Sequence, residues 1–276
     1  MKNRISAFLM RASVKITAAF TTAALAVIVI SIVVHGLPGL KPSLFAWRYN
    51  SVNVSLTPAL LNTLFMTVLS LLFAVPLGIA SAVYLVEYAR RGSSFVSMVR
   101  LTAETLAGIP SIIYGLFGLL FFVTRCHMGI SLISGALTLA IMILPLIMRT
   151  AEEALLAVPD SYREGSFGLG AGRLRTTACI ILPAAMPGIL SGVILAVGRI
   201  AGETAALIYT AGTVAKVAFS PADSARTLAV HMYVLSSEGL YMDQSYGTAL
   251  ILLAVTAGMN WLSGLLSRRL AGNVKV

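Results

Sequence analysis

Arg149–Gly188 reads RTAEEALLAVPDSYREGSFGLGAGRLRTTACIILPAAMPG. It carries both signs of charge, several glycines and three prolines, and an apolar run flanks it on each side. A polar stretch of this length between two membrane spans has to leave the bilayer and meet something in water. Whether the flanking runs are spans therefore decides the fold.

They are long enough to be. Only 11% of the residues are charged and 58% are hydrophobic, which argues against a water-soluble globular domain. Uncharged runs of about 18 residues or more suit a hydrocarbon layer of roughly 30 Å. Six apolar runs of that length occur, at 16–34, 60–86, 101–123, 130–148, 189–210 and 247–266, uncharged except for Glu104 in the third and Arg199 and Glu203 in the fifth. They are continuous, where a β-barrel would show short alternating segments. The fold class expected is all-α: a polytopic integral membrane protein with six transmembrane helices. Gly108-Ile109-Pro110 interrupts the third run, and Pro76 with Gly78 marks a kink in the second.

The net charge of +10 is spread over loops, so it is not a nucleic-acid footprint. It follows the topology bias of membrane proteins. Lys2, Arg4, Arg11, Lys15, Arg90, Arg91, Arg100, Arg149, Arg163, Arg173, Arg175, Arg268, Arg269 and Lys275 fall on one side. The other side holds Lys41, Arg48, Arg125, Lys216 and Arg226. The positive-inside rule puts both termini and the 149–188 segment in the cytoplasm. A basic start followed by an apolar run also describes a signal peptide, but this run is long and no small-residue cleavage pattern follows it. It is read as a retained span. Cys126, Cys179 and the three histidines are scattered, so no metal or cofactor is expected. No internal repeat is evident.

Within the polar segment, Pro159 should end the helix descending from the fourth span. Ser161-Tyr162-Arg163-Glu164 has capping-box spacing, so a short helix is expected from Tyr162 to Leu169. Gly170 is placed to close it in a left-handed turn. A second helix is expected from about Gly172 to Leu182, with Pro183 and Pro187 punctuating the return to the membrane.

Arg199 is the one basic residue inside a run. An ionised group at membrane depth is costly unless it faces a cavity or a partner, so it is a functional candidate. Glu203, four residues on, is expected to pair with it on one helical face. A guanidinium fork suits phosphate or carboxylate. The alternative is a salt bridge that only fixes helix packing.

Glu164-Gly165-Ser166, three residues, Gly170, nine residues, Ile180, one residue, Leu182-Pro183 resembles the EAA signature of ABC importer permeases. The spacing matches throughout, with Gly165 and Ser166 in place of two alanines. Gly198-Arg199-x-x-Gly202-Glu203-Thr204, Gly108–Gly118 and Leu144–Ala154 resemble the permeases of the high-affinity phosphate importer. Arg163-Glu164-Gly165 and Gly202–Thr210 are more similar to the PstA-type than to the PstC-type sister. Ala206 stands where that family has proline.

The resemblance implies a type I ABC importer permease core over 60–276, its coupling loop at about 150–188, and an N-terminal tail, first helix and outer loop over 1–59. It implies an inner-membrane location, no catalysis by this chain, and no cofactor. No phosphate-binding G-x-x-x-x-G-K-[ST] loop occurs, so ATP hydrolysis belongs to a partner. Implied partners are a PstB-like ATPase dimer, a PstC-like permease and a periplasmic PstS-like phosphate-binding protein, besides lipid. Arg199, Glu203 and Arg149 are the expected substrate-path residues. Ser161, Arg163, Glu164, Gly165, Ser166 and Gly170 are expected to couple to the ATPase. Glu104 is read as a cap of the third span or a path residue, and Ala211–Tyr246 as a polar outer loop. The alternatives are a permease for molybdate or sulfate, a gradient-driven anion carrier or channel, and a membrane scaffold or sensor.

Overall fold

The structure is a computed structural model. It describes residues 2–90 and 92–272, without the side chains of 2–9, 263 and 266–272. Lys2, Arg4, Arg91, Arg268, Arg269 and Lys275 of the topology argument lie, wholly or by their side chains, outside the described residues.

Every regular element among the described residues is helical. The helices are α1 Lys2–Gly39, α2 Thr57–Val83, α3 Ser94–Ala107, α4 Ser111–Gly118, α5 Leu132–Leu156, α6 Asp160–Gly168, α7 Arg173–Thr176, α8 Leu182–Ala201, α9 Ala205–Thr210, α10 Leu228–Glu238 and α11 Met242–Gly272. Five stretches are long and apolar enough to cross a bilayer: Met10–Gly39, Thr57–Tyr88, Leu132–Leu156, Arg173–Ala201 and Met242–Leu262. The α3–α4 pair makes a sixth crossing if counted as one, bent by 101° at Gly108-Ile109-Pro110. The expected interruption is thus a sharp break, because proline removes a donor and restrains the residue before it.

Helix α5 is the hub. Two thirds of its most apolar window is buried, against none of the window in α1. Ser131 starts α5, its Oγ accepting from the Ser134 amide at 3.3 Å. Leu139, Ile143 and Ile147 then meet Met66 of α2, Ala196 and Ile200 of α8 and Leu207 of α9 in one core. Lipid tails are as apolar as the core, so close backbone approach does much of the holding. Gly192 of α8 lies against Thr150 of α5, and Gly188 against Ala154. Gly78 of α2 lies against Ile147. A Cβ on Gly192 would overlap the Thr150 hydroxyl, so Gly192→Leu is expected to destabilise the α5–α8 contact by about 1–3 kcal/mol. A lower detergent unfolding midpoint, with no such fall in Gly258→Leu, would show it, since nothing lies within 4 Å of a Cβ on Gly258.

Several expectations on element boundaries are corrected. The fourth span does not stop at residue 148 but continues to Leu156. Ala151–Leu156 is strongly helix-forming, and Arg149 pairs with Glu153 across one turn at 3.1 Å. The fifth span does not begin at residue 189, and the prolines do not punctuate it. One helical run extends from Arg173 to Ala201. Pro183 lacks an N–H, and the π-helical turn Thr177–Ile181 just before it absorbs the disrupted ladder. That run ends at Ala201, not at 210, and α9 follows as a separate short helix.

The 211–246 segment is no solvated loop. Ala211, Ala218 and Ala225–His231 are buried, and α10 forms within it. Asn62 of α2 organises its entry. Its Nδ2 donates to the Lys216 and Arg226 carbonyls at 2.8 and 3.1 Å, and its Oδ1 accepts from the Ala218 amide at 2.9 Å. Arg226 sits over the Tyr49 ring, 5.5 Å from its centroid, and its Nη1 is 3.4 Å from His231 Nδ1. Arginine only donates, so Nδ1 accepts and the histidine proton sits on Nε2. That nitrogen is buried without a hydrogen-bond partner.

Burial, then the Arg226 charge, pushes the His231 pKa down to about 4. The unfolded chain takes up this proton near pH 6.5 and the folded chain does not. Stability is therefore full above pH 6.5 and falls as pH drops toward 4. At 1.36 kcal/mol per unit the loss is of order 3 kcal/mol. Unfolding midpoints measured from pH 7.5 to 4.5 should fall in the wild type and flatten in His231→Gln.

Candidate functional site

Two places concentrate the polar chemistry. The first is the hairpin between α5 and α8. Pro159 is the N-cap of α6, with extended ψ of 140°, and no side chain caps the helix. The expected capping box does not form, because the helix starts at Asp160 and leaves Ser161 inside the first turn. The other end closes as expected. Gly170 has φ of +82°, its amide donates to Phe167 O at 2.9 Å, and the Ala171 amide donates to Ser166 O at 3.1 Å. These are the two bonds of a Schellman turn.

The six residues expected here divide between two sides of α6. Ser161, Glu164, Gly165 and Gly170 are exposed, with Tyr162 and Phe167 beside them. Arg163 and Ser166 turn inward. Ser166 Oγ is 2.8 Å from Thr176 Oγ1 of α7, and both residues are buried. Arg163 reaches Glu87 at the end of α2, with Nη2 at 2.7 Å and Nε at 3.1 Å from Oε1. Sequence reasoning missed Glu87. Its signal was a lone acid next to Arg90 and Arg91, which reads equally well as a charged loop.

The second place is where the broken α3–α4 span meets the turn between α8 and α9. Helix α8 ends two residues after Arg199, and the chain turns at Gly202-Glu203-Thr204 before α9. Gly115 of α4 lies directly against Ala206 of α9. Tyr114 of α4 donates to the Leu106 carbonyl at 2.8 Å, which ties α4 to the last turn of α3 across the bend. Irregular backbone at membrane depth persists only where it is packed in protein or lines a cavity.

The expected Arg199–Glu203 pair is absent, because the helix that would align the two side chains stops between them. Glu203 is buried, and its Oε1 accepts from the Ala206 amide at 3.1 Å, capping α9. Proline at 206 would have no N–H to give. Arg199 is half-buried and makes no ion pair within 4.0 Å among the described residues.

Arg149 is elsewhere. It is exposed on α5 and held by Glu153. Gly192 is level with Thr150, so Arg199 sits about six residues beyond the Arg149 level, roughly 9 Å at 1.5 Å per residue. Arg149 lines a cavity of about 260 Å³ together with Glu104, Glu152 and Arg100. Arg100 Nε donates to Glu152 at 2.7 Å there. Glu104 lies in the second half of α3, so it does not cap the start of that helix. Cys126 and Cys179 are both exposed and unbonded.

Comparison with known proteins bears on this geometry. The family described as binding-protein-dependent transport system inner membrane component matches residues 74–272. The chain is 34% identical to the probable ABC transporter permease protein YqgI of Bacillus subtilis, over 78% of this chain and 79% of that one. It is 33% identical to the phosphate transport system permease protein PstA of Mycobacterium leprae, over 82% and 72%. Among solved structures, the inward-facing MetNI methionine ABC transporter shares the fold at a TM-score of 0.62, with 21% identity over 76% of this chain and 93% of that one. With the broken span and the hairpin between α5 and α8 in place, these matches settle the class: the chain belongs to the family of binding-protein-dependent transport system inner membrane components, and is an ABC importer permease subunit.

Proposed function

We propose that this subunit forms part of an ATP-driven phosphate importer of the bacterial inner membrane. The observation that carries the reading is a half-buried arginine, with no ion pair among the described residues, where the broken α3–α4 span meets the turn between α8 and α9. Discontinuous helices beside a buried charge are a recurrent way to build a solute station near the bilayer midplane. A guanidinium there can give a phosphate oxyanion two parallel donors. Arg199 is the station, Glu203 shapes the turn that presents it, and Arg149 is a second stop toward the cytoplasm. The resemblance to phosphate permeases, and relatives named as phosphate transport permeases, support this cargo.

Helix α6 is the lever. Its exposed face of Ser161, Glu164 and Gly165, closed by Gly170, docks on a PstB-like ATPase. A PstC-like permease completes the pathway, and a PstS-like protein delivers phosphate from outside. Both termini and α6 face the cytoplasm, where the basic residues gather, and the permease unit starts near residue 60. ATP binding closes the ATPase pair and moves α6, which opens the spans outward. Hydrolysis returns them.

The test is uptake of labelled phosphate by the complex reconstituted in vesicles with trapped ATP. Uptake that needs hydrolysable ATP, and that excess sulfate or molybdate leaves unchanged, supports the reading. Equal competition by sulfate or molybdate would reassign the cargo, and uptake driven by an ion gradient alone would remove the ATPase from the account.

A further inference from the structure

We propose that the Arg163–Glu87 pair is the fastening through which movement of α6 reaches α2 and α5. The proposal rests on the reading of α6 as a docking helix. Apolar packing does not hold α6 in place, since Ser166 is its one buried residue. A helix with so little core has to be fixed by polar contacts if it is to move anything. Arg163 supplies them to two spans at once. Nε and Nη2 donate to Glu87 in the π-helical turn Tyr84–Tyr88 that continues α2. Nη2 also donates to the Leu155 carbonyl at 3.1 Å and Nη1 to the Val158 carbonyl at 2.9 Å, at the end of α5.

Leu155 lies in the last turn of α5, where its carbonyl otherwise meets only the Val158 amide at 3.4 Å and the amide of the C-cap, and Val158 lies just past the helix end, where a cation is favoured by the dipole. The pair is sheltered, with Arg163 at 15% and Glu87 at 7% side-chain exposure. A surface bridge in water would swing freely and transmit little. Asp160 shows the contrast. It meets Nη1 at 3.1 Å but is 68% exposed. The Ser166–Thr176 contact fixes the other end of α6 to the run leading into α8. A push on α6 is thus shared by three spans, with Arg163 as the positioning residue for two of them.

The test uses the full complex with its ATPase, in a background where Cys126 and Cys179 are replaced by serine. Glu87→Gln keeps the shape and removes the charge. It is expected to leave ATP hydrolysis within about twofold of the parent while lowering phosphate moved per ATP by about tenfold. Asp160→Asn should keep the parental ratio. Spin labels at Gly168→Cys and Arg90→Cys should keep one separation with and without a non-hydrolysable ATP analogue, and lose it in Glu87→Gln. A nucleotide-driven change above about 2 Å in the parent, the scale of ordinary helix shifts, would overturn the fastening. So would an unchanged ratio in Glu87→Gln, or hydrolysis and uptake falling in proportion, which marks a merely structural role. The label separation does not depend on the cargo, so failure of phosphate uptake in the parent complex would count against the transport reading alone.

Discussion

Replacing Arg199 by alanine is expected to cut phosphate uptake about a hundredfold while the complex still assembles. Each charge-assisted hydrogen bond contributes about 1.5–3 kcal/mol, and a bidentate guanidinium loses two of them. At about 1.4 kcal/mol per decade, even the lower figure for each bond gives that factor. Assembly should survive because Arg199 makes no ion pair among the described residues, so its removal orphans no buried acid. Arg199→Lys separates charge from geometry, since an ammonium keeps the charge but not the planar fork. Uptake between the two extremes is expected for it. Wild-type uptake in Arg199→Ala, with the complex intact on gel filtration, would end the assignment of this residue to the path.

Gly170→Val should produce the second large effect, a complex that hydrolyses ATP but moves several-fold less phosphate for it. Nothing lies within 4 Å of a Cβ at this position, so the cost is conformational rather than steric. The backbone there has φ of +82°, which an L-residue adopts at a cost of about 1–2 kcal/mol, and a β-branched one at more. Valine would escape by undoing the Schellman turn, which frees the carbonyls of Ser166 and Phe167 and loosens the end of α6. Gly170→Asn is the control, because asparagine tolerates the left-handed region. Simultaneous measurement of hydrolysis and uptake checks both variants. Equal coupling in valine and glycine forms would show that this end of α6 does not bear on the stroke.

Much of the architecture was legible from charge and hydropathy alone. The spans are long apolar runs with few charges, and Gly108-Ile109-Pro110 and Gly170 act through local backbone rules that need no tertiary information. The failures share one cause: a local pattern with two readings, decided by a distant residue. Ser161 and Glu164 have capping-box spacing, but the start of α6 is set by Pro159 and by Arg163 anchored to α2. Residues 211–231 look like a solvated loop, and Asn62, some 150 residues earlier in the chain, draws them inside. Arg199 and Glu203 have helical spacing, but the helix ends between them. Pro183 reads as a helix stop only if the preceding turn is regular, and it is a π-turn.

The Ala206 amide that occupies Glu203 has one more consequence. If Arg199 is the anion station proposed above, a guanidinium without an ion pair among the described residues also attracts small anions of the medium. On that reading, a halide or bicarbonate should compete with the cargo ion for Arg199. Ala206→Pro, which removes the amide proton, would return the Glu203 carboxylate to circulation and relieve that competition. The rate of loading in this chain would thus track chloride concentration, a sensitivity set by a single backbone hydrogen.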